Sequence, residues 1–139
     1  MQKALLTWND RAAPSLDDFE LLARDAFADL PEDFRSMVGE VTFGVAEFAE
    51  DDVLKELEIE SPFDLLGLFT GVGLAHASAT SPTGALPNRI WLYRRPILDY
   101  WAEHDETLGA VVTHVLVHEI GHHFGFSDED MESIEAAAG

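Results

Sequence analysis

The chain has 139 residues, nearly half of them apolar, which suits one domain with a core of its own. Its 27 acidic and 8 basic residues give a formal net charge of −19; such a field repels phosphate backbones and anionic headgroups, so nucleic acid and membrane surfaces are not expected partners. Cysteine is absent, which excludes disulfides and thiolate metal sites and leaves imidazole and carboxylate as the only strong ligands for a metal.

Met1 to Asp10 holds one lysine and no apolar run of signal-peptide length, and no uncharged apolar stretch of about 18 residues occurs, so a cytoplasmic location is expected. Ser15 with Asp18 forms a capping pair, and Leu16, Phe19, Leu22, Ala23, Ala26, Phe27 and Leu30 follow at helical spacing until Pro31. Val41, Phe43 and Val45 alternate as in a strand. The acidic stretch Glu50 to Glu60 reads as a loop with a short helix, and Leu65 to Phe69 as a second strand. Ala75 to Asn88, rich in Ser, Thr, Pro and Gly, reads as a long surface loop. Arg89 to Arg95 is a third strand, after which Pro96 can open a helix at its first position. Two further helices are expected, from about Glu106 to Phe124 and from about Asp128 to the end. Strands embedded among helices without βαβ alternation predict an α+β fold, a single domain over 1–139 with its core at about 15–137.

The helix from Glu106 to Phe124 carries the chemistry. His118 and His122, four residues apart, share one face and can chelate one ion. Glu119 lies about 100° round, where a carboxylate can take a proton from a water on the metal without being a ligand itself. Apolar residues from Leu108 to Phe124 surround nearly the whole circumference, so the helix is expected to be largely buried, a costly place for Glu119 and the histidines unless a cation compensates. The alternative is neutral core histidines bonded to backbone, with Glu119 at a solvent edge.

Gly125 stands where a left-handed turn redirects the chain along the metal face. Asp128 follows three residues on and completes the string His118-Glu119-x-x-His122-x-x-Gly125-x-x-Asp128. Ser127 with Asp130 can cap the last helix and leave the Asp128 carboxylate free. Catalytic zinc takes three protein ligands, and the expected set is His118, His122 and Asp128, with Glu129, Glu132 and Glu135 as rivals of Asp128. His114, one turn before His118, is either a partner in hydrogen bonding to the ligands or a satisfied core histidine. His123 is expected at the periphery, and His76 and His104 in solvent. Tyr93, Tyr100, Arg94 and His123 are all chemically able to stabilise an oxyanion, and spacing does not choose among them.

These residues resemble the zincin-like metallopeptidases, and more narrowly a family of small acidic bacterial zincin-like proteins. Leu30-Pro31-Glu32-Asp33-Phe34, Leu65 to Gly71 and Leu92 to Ile97 resemble that family's other recurring segments, so the likeness runs from about Ser15 to the C-terminus. It implies a minimal zincin: a small mixed sheet, an HExxH active-site helix behind it, and a short C-terminal helix. It implies one zinc per chain on His118, His122 and Asp128, Glu119 as catalytic base, and a peptide or protein substrate. The string is also similar to the metzincin signature, with Asp128 where most of that group have a third histidine; with eleven residues after Asp128 and Met131 on the expected last helix, a methionine floor of the metzincin kind is not expected. Two other functions compete with a zinc peptidase. One is a non-catalytic, metal-stabilised binding or regulatory module, which does not need Glu119. The other is a mononuclear iron site with two histidines and one carboxylate.

Overall fold

The computed structural model describes residues 8–71 and 88–138. Ser15 opens α1 (Leu16–Ala28) with a full capping box, its hydroxyl accepting from the Asp18 amide while the Asp18 carboxylate accepts from the Ser15 amide. The helix stops at Ala28, three residues before Pro31. Pro31 is instead the N-cap of a short helix not expected from the sequence, α2 (Glu32–Val38). Strand β1 (Val41–Ala46), helix α3 (Asp51–Glu56) and a 3₁₀ turn at Pro62–Asp64 lead into β2 (Gly67–Thr70). The second strand thus begins two residues later than Leu65, because the turn still occupies the chain just before it.

Strand β3 (Asn88–Tyr93) runs directly into α4 (Arg94–Glu103). Arg94 and Arg95 are therefore helical, not the end of a strand, and Pro96 is the third helical residue, not the first. Proline is tolerated there because the first four amides of a helix have no intrahelical acceptor. Of the predicted loop from Ala75 to Asn88, only Asn88 falls within the described residues, and it belongs to β3; His76 lies outside them.

The strands form one mixed sheet of order β1-β3-β2, with β1 parallel and β2 antiparallel to β3. Ile90 and Leu92 of β3 and Phe69 of β2 point to one face of the sheet. There they join Phe19 and Ala23 of α1 and the apolar side of α5 (Leu108–Phe124) in the main core. Trp91, Tyr93 and Leu68 point to the other face and pack with Leu54 and Val53 of α3. Thr107 caps α5 through its hydroxyl. The last helix, α6 (Asp128–Ala137), lies beside α5. The architecture is α+β, and among the described residues no helix is long and apolar enough to cross a membrane.

Candidate metal and catalytic site

Apolar residues do not enclose α5. Val111, Val112, Val115, Leu116, Val117 and Ile120 are buried, while His114 and His118 are partly exposed and His122 is exposed. The histidines therefore form a stripe along the open side, and the expected burial cost falls on Glu119.

Two local features bring a second polar stripe opposite the first. Gly125 closes α5 in the left-handed conformation, φ 80°, with its amide bonded to the Gly121 and His122 carbonyls, a geometry that glycine adopts at little cost. Ser127 then starts α6 with a capping box to Asp130, so the Asp128 carboxylate is not used as the cap. One turn on, fully buried Met131 seats its sulfur on Gly121, where any side chain would collide. With Met131 turned inward, Asp128, Glu132 and Glu135, spaced four and three residues apart, share a helix face toward α5. Together with His114 and His118 they line an open cleft of about 540 Å³.

Glu135 bridges two histidines across this cleft. His114 Nδ1 lies 3.1 Å from Glu135 Oε1, and His118 Nε2 lies 3.0 Å from Glu135 Oε2, each ring N–H donating to the carboxylate. One ligand atom from each of these three residues lies within 4.8 Å of the others. The His118 and His122 rings meet edge to face with centroids 5.8 Å apart. His118 thus stands between two potential partners on its own helix, His114 one turn before and His122 one turn after.

Glu119 is turned off the histidine stripe toward the sheet. An added Cβ on Gly67 of β2 would meet Val115 at 2.7 Å and the Trp91 carbonyl at 2.9 Å, with the Glu119 Cγ 3.5 Å away. The missing side chain is thus what lets β2 close onto α5 beside the carboxylate. Burial there pushes the Glu119 carboxyl up from 4.5 to about 7. Tyr93, at the end of β3, is pushed up to about 12, first by burial and then by the charges of Glu50 and Glu119. Tyr93 is therefore a neutral phenol at physiological pH, close enough to Glu119 to feel its charge. The other residues considered for an oxyanion are engaged elsewhere. Arg94 bonds the Pro14 carbonyl and pairs with Glu47, and Tyr100 stacks on exposed His104. His123 is not peripheral, since its ring lies 4.3 Å from that of Phe69.

The raised carboxyl makes a testable statement about the metal-free protein. An acid whose folded pKa lies above its unfolded one costs nothing below the unfolded value; the folded state loses stability as pH rises from about 4.5 to about 7. In chelator, wild type should therefore lose on the order of 2 kcal/mol across that window relative to Glu119→Gln. The check is a pair of denaturant titrations at about pH 4.5 and pH 8. Equal pH dependence of the two proteins would mean that Glu119 is not desolvated.

The donor set fits zinc. It consists of imidazole and carboxylate without thiolate, as in hydrolytic zinc sites with two histidines and one acid. Among the described residues the one cluster of three possible ligands is His114, His118 and Glu135; His122 and Asp128 of the expected set are not gathered with His118 at that distance. A small α+β fold with HExxH on a helix packed behind the sheet defines a zincin-like scaffold. The model of the zincin-like metallopeptidase family matches residues 38–138, and the chain belongs to that family. No curated protein matches it.

Proposed function

We propose that the chain is a zinc-dependent peptidase in which His118, His122 and Asp128 hold one ion and Glu119 is the general base. The observation that carries this reading is the placement of Glu119. It adjoins His118 in sequence yet faces the sheet instead of the histidine stripe, and in the metal-free protein burial raises its carboxyl above the ordinary carboxylate value, as suits a group that takes up a proton. A structural zinc site takes four protein ligands and has no use for such a group.

Zinc, once bound, supplies a Lewis acid that polarises the attacking water and the scissile carbonyl. Glu119 accepts the proton of the attacking water and returns it to the leaving amine. Among the described residues strand β2 lies at an edge of the sheet and packs on α5, so an extended peptide can add to it as a further strand and be held beside the helix.

The metal assignment is tested by elemental analysis of protein dialysed against limiting zinc. Wild type should hold about one ion per chain, and His118→Ala should hold none. Stoichiometric zinc in the variant would remove His118 from the site and the peptidase reading with it.

A further inference from the structure

We propose that the cleft contains a second divalent-cation seat, built from His114, His118 and Glu135, which excludes the seat on His118, His122 and Asp128 because both need the imidazole of His118. The inference rests on the peptidase reading for the second of these seats, while the first stands on its own geometry.

Glu135 presents one oxygen to each of two imidazoles, at 3.1 Å and 3.0 Å. The three donors come from two helices already locked together through Met131 and Gly121. Two histidines four residues apart with a facing carboxylate repeat the donor chemistry of the HExxH site one turn earlier on the same helix. In the metal-free state each imidazole N–H donates to the carboxylate. On binding a cation each neutral ring carries its proton on its other nitrogen, so the nitrogen that faces Glu135 offers its lone pair to the ion and the same three groups serve both states. A neutral imidazole has a single lone pair to give, and His118 can therefore serve one ion at a time. The result is one ion per chain distributed between two positions, on the sides of His118 that face His114 and His122. In the seat with Glu135 the ion lies farther from Glu119 along the helix axis, so the protein keeps its metal there without placing it beside the base.

Zinc stoichiometry by equilibrium dialysis, with cobalt(II) visible spectra as the second readout, tests this on the full chain. His122→Gln should retain about one ion per chain, with a cobalt spectrum different from that of wild type. His122→Gln combined with Glu135→Gln should retain none. His122 is exposed and Glu135 borders the cleft, so these changes leave the core untouched; circular dichroism and a melting curve establish that each variant is folded. If His122→Gln alone loses the ion while Glu135→Gln keeps it, the second seat does not exist and the peptidase reading stands. If Glu135→Gln alone loses the ion and His122→Gln has no effect, Glu135 belongs to the only seat, and both the alternation and the HExxH ligand set are overturned. Wild type that binds neither zinc nor cobalt overturns both proposals.

Discussion

Replacing Glu119 by Gln is expected to leave the zinc content of the protein near wild type and to lower peptide hydrolysis by about 10² to 10⁴, the usual contribution of a positioned acid–base group. Gln keeps the side-chain volume beside Gly67 and much of the hydrogen-bonding capacity, and removes only the ability to take a proton. The change also relieves a buried charge, since the carboxyl is raised to about 7 by desolvation, so the metal-free variant should be the more stable protein at neutral pH. A fall in rate then cannot be assigned to unfolding. Full rate with full metal content would show that the base is elsewhere. Loss of the metal would make Glu119 a ligand and favour a structural site.

The second large effect is expected at Met131, which is not among the residues that line the cleft. It is fully buried and seats on Gly121, so it holds α6 against α5 and thereby holds Asp128, Glu132 and Glu135 opposite the histidines. Met131→Ala should cost about 2–5 kcal/mol by the lost burial and the cavity left behind, read as a shift in the denaturant midpoint. Zinc affinity should fall in the same variant although every ligand is intact, because ordering α6 against α5 would then be taken from the binding free energy. Met131→Leu, which nearly conserves volume, should recover most of both losses. Unchanged zinc affinity in a clearly destabilised Met131→Ala would mean that the ligands are positioned independently of this contact.

Much of this was legible in the sequence because the decisive signals are local. The capping boxes at Ser15 and Ser127, the left-handed turn at Gly125, the alternation of Val41, Phe43 and Val45, and the HExxH spacing each act within one or two turns, and the corresponding elements are present. Helix α2 was not legible because it is only seven residues long and lacks a side-chain cap. The β3–α4 junction was misread because β-branched and aromatic residues run up to Tyr93 with no break before the helix. The site itself divides in the same way. His118 and Glu119 announce themselves by spacing, whereas the bridge from Glu135 to His114 and His118 spans 21 and 17 residues and depends on how two helices pack. Its only trace in the sequence is the spacing of Asp128, Glu132 and Glu135 around a single methionine. The apolar ring inferred for α5 failed for a related reason, since composition does not show that α6 leaves a cleft along the histidine stripe.

The most direct measurement is a peptide-library cleavage assay on protein of known zinc content, run as purified, after chelation, and after zinc is restored. Cleavage that disappears with the chelator and returns with zinc is the predicted result. A protein that holds zinc tightly and cleaves no peptide in any of the three conditions would contradict the peptidase assignment and leave a metal-stabilised binding module in its place.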